Sequence, residues 1–326
     1  MSHPRCIVLN NRPRRQGGVS LIELMVALVV GLILLAGLIQ VYLSTKQSYN
    51  AQEQLARMQE NGRFAMELIT RDLRRAGFWG GNVDLTAITG FPGPREPAPA
   101  CDVANNNWGR MIAWRVSGLD DDNTGYACTE PDYIDGTDIL TVRYAGPNVF
   151  SDALQTGGLY LRSTMFLGRI MTGAEEKNDA NQAPPDPTFA PAHLAPVDRQ
   201  LVSHAYYIGA SGRTCPNGDV IPALRRVRLD PLTGFPVSEE VASGVEQLQV
   251  RYLLNGAYQD ASAIIGDEWR RVTAVRVWLL MRGECLEPGL SNDATYVMGN
   301  TSLDVNDNFR RQLYVSTVML RNTAVR

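Results

Sequence analysis

The sequence predicts an α+β chain in which one long N-terminal helix, apolar and membrane-crossing through its first half, packs on an enlarged antiparallel β-sheet head. Residues 19–43 read VSLIELMVALVVGLILLAGLIQVYL, a predominantly apolar run with Glu23 as its only charge. Beyond Leu43 the chain turns polar but keeps helical spacing, with Leu55, Met58, Leu68, Ile69 and Leu73 in one stripe among Arg57, Glu60, Arg63, Glu67 and Arg71. From Phe78 onward apolar and polar residues alternate in short runs, which marks strands with one buried face.

The apolar run comes first because it decides the class. At about 1.5 Å per residue it makes a helix long enough to cross a hydrocarbon layer of about 30 Å. It is too long for the core of a secretory signal, which spans about 7 to 15 residues. The residues before it, 1–18, are polar and carry Arg5, Arg12, Arg14 and Arg15. A positive flank ahead of the span keeps the leader cytoplasmic and sends the remainder across. Glu23 then needs a reason, since a carboxylate at membrane depth costs about 2.5 to 3.5 kcal/mol on insertion scales. An amine is the partner that would offset it.

Gly18-Val19-Ser20-Leu21-Ile22-Glu23-Leu24-Met25-Val26 resembles the processing site of type IV prepilins: a short basic leader ending in glycine, an apolar residue, then Leu-Ile-Glu-Leu. That resemblance implies a cut between Gly18 and Val19 by a membrane peptidase that also methylates the new N-terminus, with Glu23 as the fifth mature residue. Val19 stands where major pilins usually have phenylalanine, and Ser20 where threonine is common. Cleavage would create an α-amine at Val19, and Glu23 of a neighbouring subunit would offset its charge and set subunit register.

The expected organisation is therefore a leader over 1–18, a long helix over 19–76 whose part 19–43 is transmembrane, and a periplasmic β-rich head over 77–326. Gly77 is the expected helix stop. Gly31 and Gly37 allow bending or close helix packing within the span. In the head, three runs alternate clearly: Leu140, Val142 and Tyr144; Leu248, Val250, Tyr252 and Leu254; and Val275, Val277, Leu279 and Met281. They are expected to be neighbours in an antiparallel sheet. Residues 203–208, 224–229 and 312–320 are weaker strand signals, and the proline-rich segments 91–99 and 183–196 read as surface loops.

The size of this head, with residues 244–252 (GVEQLQVRY), 269–280 (WRRVTAVRVWLL) and the pair Arg321-Asn322, resembles the larger minor pilins called PilW, whose counterpart in type II secretion is the J pseudopilin. This second resemblance implies a pilin-like fold and a non-enzymatic minor subunit acting in initiation and assembly of a type IV pilus near its tip. The implied partners are prepilin peptidase, other minor pilins and the major pilin, and the inner-membrane assembly platform. The chain would sit in the bacterial inner membrane as a single-pass protein with its head in the periplasm, and reach the cell surface in the pilus. The rival readings are a secretion pseudopilin and a membrane-anchored periplasmic adhesin or receptor.

Composition narrows the rest. With 31 basic and 34 acidic residues and a formal net charge of -3, the chain offers no polycationic surface, so no nucleic acid is expected as a partner. Three histidines leave little for proton transfer or metal chemistry, and no nucleophile elbow or phosphate loop is present. Ser203 beside His204 is adjacency only.

Cys6 would leave with the leader. Cys101, Cys128, Cys215 and Cys285 remain, and lacking CxxC spacing they read as disulfides. Four cysteines allow three connectivities. The expected pairing is Cys101 with Cys128 and Cys215 with Cys285, each within one half of the head.

No cofactor is expected, calcium being the weak exception. Asp120 and Asp122 in one loop, and Asp304, Asn306 and Asn308 in another, have early calcium-loop spacing, but Pro131 and Val315 stand where the closing glutamate belongs. Glu239-Glu240, Arg225-Arg226 and Arg270-Arg271 are candidate interaction patches, weighed against ordinary charged strand ends.

Overall fold

A computed structural model describes residues 18, 20–81, 88–89, 114–124, 126–129, 132–150, 154–164, 168–173 and 197–322. The chain divides into two compact units, residues 1–52 and 53–326. Helix α1 spans Leu21–Arg75 and belongs to both. Within the first unit its apolar residues from Leu21 to Leu43 are exposed, and it is long and apolar enough to cross a membrane.

In the second unit the helix buries Met58, Gly62, Ala65, Leu68, Ile69, Asp72 and Leu73. Steps of three and four residues place these on one face. The helix stops at Gly77, whose φ of +74° is a left-handed conformation suited to glycine. A Cβ there would lie 2.9 Å from Arg115 Cδ and 3.0 Å from the Asn322 carbonyl oxygen.

Fourteen strands are described: β1 (Ile88–Thr89), β2 (Val116–Leu119), β3 (Ile139–Phe150), β4 (Leu159–Ser163), β5 (Gly168–Thr172), β6 (Val197–Thr214), β7 (Val220–Leu229), β8 (Pro236–Ser243), β9 (Val245–Leu254), β10 (Ala257–Gln259), β11 (Ala274–Arg282), β12 (Thr295–Met298), β13 (Thr301–Asp304) and β14 (Arg311–Met319). Strands β1 to β8 make one sheet in the order β1-β5-β4-β6-β3-β2, with β7 and β8 continuing from β6. The long β6 pairs with β3 along one edge and, along the other, first with β4 over Val197–Gln200 and then with β7 from His204. A second sheet runs β10-β9-β11-β14, and β12 with β13 forms a separate hairpin. All pairs are antiparallel except β1 with β5.

The main core is where the helix face meets both sheets. Met58, Ala65, Ile69 and Leu73 pack with Leu140, Val142 and Tyr144 of β3, Tyr206 and Ile208 of β6, Leu248, Val250 and Tyr252 of β9, and Val275, Val277 and Leu279 of β11. The expectation that the three clearest runs are mutual neighbours is corrected here. β9 and β11 are paired, but β3 lies in the other sheet and faces them across the core. Alternation encodes which face is buried and says nothing of the strand alongside. The proline-rich segments 91–99 and 183–196 lie outside the described residues, as does Cys101.

Candidate functional site

The site is the amino-terminal part of α1. Gly18 stands ahead of the helix, and a Cβ there would meet nothing within 4 Å among the described residues. Val19 lies outside the described residues. The helix is hydrogen-bonded from the Leu24 amide to the Ser20 carbonyl, so Glu23 falls in its first turn, where a negative charge is favoured by the unpaired amides. Among the described residues no cation pairs with Glu23. Around it Leu21, Ile22, Leu24, Met25 and Val26 are all exposed, Leu21 by 77%. Such a surface is insoluble alone and is satisfied by lipid or by like helices. Chemically the segment offers an apolar cylinder with one carboxylate, and no catalytic constellation.

The head holds its share of the helix through polar groups as well as packing. The Asp72 carboxylate, nearly inaccessible, accepts the hydroxyls of Tyr144 at 2.9 Å and Tyr206 at 2.5 Å, with His204 Nδ1 at 2.5 Å. Burial pushes this carboxyl up, but the contacts with His204, Tyr206 and Tyr144 outweigh it and hold it below the usual range. Tyr144 and Tyr206 are both pushed well up by burial and by Asp72 itself, so their hydroxyls stay protonated donors. Sequence reasoning missed Asp72. The available signal was its position in the apolar stripe, one turn beyond Leu68.

A second set of contacts ties the chain's last described residues to the helix end. The Asn322 side-chain amide donates to the carbonyls of Arg75 at 3.3 Å and Ala76 at 3.1 Å, capping two of the helix's unpaired acceptors. Arg115 in turn donates to the Asn322 carbonyl at 3.1 Å and to the Val272 carbonyl. Burial lowers the Arg115 guanidinium to about 10. This gives Asn322, one of the residues that carried the resemblance, a physical role.

The remaining candidates separate. Cys215 and Cys285 form a disulfide with Cα atoms 5.7 Å apart, joining the turn after β6 to the segment that follows β11 and so linking the two sheets. Cys128 is also disulfide-bonded, while Cys101 is outside the described residues. Asp120 accepts the backbone N–H groups of Ala261 at 2.8 Å and Ser262 at 2.6 Å, and Asp122 accepts that of Thr124. Asp304 accepts the Thr295 hydroxyl at 2.6 Å, Asn308 donates to the Leu290 carbonyl, and Asn306 is exposed. Among the described residues no group of three or more His, Cys, Asp or Glu is placed to hold a metal ion. The charged pairs largely answer each other: Arg226 and Arg228 bind Glu239, Arg213 lies 3.8 Å from Glu240, and Arg225 lies 3.6 Å from Asp132. Of Arg270 and Arg271, only Arg271 has a described partner, donating to the Asn255 side-chain carbonyl at 2.7 Å.

Comparison with known proteins agrees with this anatomy. Residues 13–39 match the prokaryotic N-terminal methylation motif, which takes in Gly18, Val19 and Glu23. Residues 205–322, from within β6 to the Asn322 cap, match the type IV pilus-assembly protein W family. No curated protein matches the chain. Among solved structures, the type IV-like pilin TTHA1219 from Thermus thermophilus is 12% identical, over 82% of this chain and 99% of that one, with a TM-score of 0.35. This chain therefore joins a methylation motif at the start of its helix to a match with the type IV pilus-assembly protein W family over the second half of its head.

Proposed function

We propose that the protein is a minor pilin that takes part in initiating and assembling a type IV pilus near the filament tip. The observation that carries this is the exposed apolar helix from Leu21 to Leu43, with a single carboxylate at Glu23 shortly after Gly18. Prepilin peptidase cuts between Gly18 and Val19 and methylates the Val19 amine. The helix stays in the inner membrane with the head in the periplasm. It then docks laterally with other minor pilins and the major pilin on the inner-membrane assembly platform. In hydrocarbon, an amine and a carboxylate from adjacent subunits relieve each other's desolvation, so a wrongly stepped neighbour leaves both unpaired. Chemistry is done to this chain and none by it.

The test is mass spectrometry of the N-terminal peptide of the protein from native membranes. The expected peptide begins at Val19 and carries one added methyl group. An intact leader, or a cut elsewhere, overturns the reading and returns a membrane-anchored enzyme or receptor to first place.

A further inference from the structure

Where β10 ends, a single aspartate takes over the edge of β9. Strand β9 pairs with β11 along one edge and, over Tyr252–Leu254, with β10 along the other. Past Tyr252 that second edge is met by Asp138, the residue immediately before β3. Its amide donates to the Leu248 carbonyl at 2.9 Å, and its carboxyl accepts the Val250 amide at 2.6 Å. The other carboxyl oxygen accepts the Asp121 amide at 3.1 Å. Asp138 thus fastens the first sheet, through β3, to the second, through β9.

The surroundings of this carboxyl oppose its charge. Asp138 is 3% exposed. Among the described residues no arginine, lysine or histidine pairs with it, or with Asp120 or Asp121. The titratable groups that face it are Asp120 and Asp121 just after β2, Tyr133 ahead of β3, and Tyr252 from β9, all of them acids. Asp120 is held by the amides of Ala261 and Ser262, and Asp121 by the Gln249 side-chain amide at 3.1 Å, so neither swings away without breaking its own contact. The buried Tyr252 hydroxyl has no hydrogen-bond partner among the described residues and gives the cluster no relief. A neutral Asp138 keeps one oxygen as a full acceptor and removes one of three like charges. An ionised one is a desolvated anion served by amides alone. Burial, with the repulsion of Asp120 and Asp121 and against the two amides, pushes the carboxyl up to about 7.

We propose that Asp138 is a proton-operated latch between the two sheets: protonated, it closes the seam between the start of β3 and the edge of β9, and ionised, it lets that seam open while the rest of the head stays folded. In the open seam Asp138 is hydrated and titrates as an ordinary aspartate, near ~3.9. Opening therefore releases a proton between the two values, and becomes about tenfold easier with each pH unit through that window before levelling off above it. The seam is shut in acid and yields toward neutral pH, the reverse of the Asp72 anchor, which acid weakens.

The test is amide hydrogen exchange of the full chain in detergent micelles between pH 5 and 8, read at Val250 and, for reference, at Val277 in the middle of β11, each rate being divided by that of an unprotected amide. Val250 should lose protection about tenfold per pH unit up to about pH 7 and hold steady above it. At pH 8 it should exchange at least about tenfold faster than Val277, because the seam opens without the rest of the head. Asp138→Asn, a permanent mimic of the protonated acid, should make the protection of Val250 independent of pH. Asp121→Asn keeps the acceptor for Gln249 and removes one neighbouring charge, so it should move the transition to lower pH, and it tests the latch where the first variant fails to fold. Three outcomes overturn the proposal: the same pH profile at Val250 in the natural chain and in Asp138→Asn, an unmoved transition in Asp121→Asn, or Val250 and Val277 exchanging together at pH 8.

Discussion

The Tyr206 hydroxyl, on the longest strand of the head, donates to the Asp72 carboxylate, on the helix, at 2.5 Å. Tyr144 and His204 converge on the same carboxylate, so one helix residue satisfies groups from both β3 and β6. Asp72→Ala would strand two buried hydroxyls and is expected to cost about 2 to 4 kcal/mol. Asp72→Asn, which keeps an acceptor, should cost about half of that. Urea denaturation of the full chain in detergent, followed by tyrosine fluorescence, checks both, and equal losses for the two variants would refute the role of the charge.

Asp138 carries a pH dependence of opposite sign. Burial pushes its carboxyl up to about 7, against the N–H groups of Val250 and Asp121 that it accepts and with repulsion from Asp120 and Asp121. An unfolded aspartate titrates near ~3.9. Between those values the native state holds a proton that the unfolded chain has lost, so this group's contribution falls as pH rises through that window. The stability of the natural chain minus that of Asp138→Asn should decline by about 2 to 4 kcal/mol from roughly pH 4 to 7. Asp72, with its depressed carboxyl, contributes in the reverse sense: its stabilisation is present above the unfolded value and lost as pH falls through the folded one. Thermal melts across the range separate the two, and a flat difference curve for Asp138→Asn would count against its burial.

Reduction of the bond between Cys215 and Cys285 should be felt by both sheets. The bridge closes a separation of 70 residues, for which the chain-entropy relation gives about 4 kcal/mol, at the upper end of what such bridges contribute. Cys215→Ser with Cys285→Ser should lower the melting temperature while leaving N-terminal processing unchanged. A melting curve indifferent to the double change would show that the neighbouring contacts of Glu284 with Arg213 and Ser243 suffice.

Gly62 brings the helix directly against the Tyr314 ring of β14. A Cβ at that position would sit 2.5 Å from Tyr314 Cε2 and 2.8 Å from Cζ. Gly62→Ala should therefore destabilise the head by about 1 to 3 kcal/mol despite its better helix propensity. In a Tyr314→Ala background the same change should be neutral or favourable. A double-mutant cycle by chemical denaturation reads the coupling.

Much of this architecture is legible in the chain. Helical spacing and Gly77 mark a helix to 76, and the structure ends it at Arg75. The alternating runs at Leu140, Leu248 and Val275 are all strands. Their grouping is not legible, because a two-residue period identifies the buried face while the choice of neighbour depends on how the helix divides the core between two sheets. The signal at 203–208 understates β6, which runs from Val197 to Thr214. Its alternation is broken by His204 and the pair Tyr206-Tyr207, whose polar atoms are satisfied by Asp72 and Ser238 only after folding. Asp72 is hidden for the same reason, since a carboxylate in a stripe reads as polar until its donors are placed around it.

The helix stripe of the head also dictates an order in time. Residues 58–76 are made early, but the strands that close over them, β9, β11 and β14, finish only at 319, and the Asn322 cap comes later still. At ribosomal speeds of about 5 to 20 residues per second, that stripe waits roughly ten to fifty seconds for its cover. A nascent chain of this kind has a prolonged window of stickiness at its leading end. A premature stop near the C-terminus would leave the helix without its last strand, so such truncations should be lost to aggregation or proteolysis and fail to act as shortened subunits.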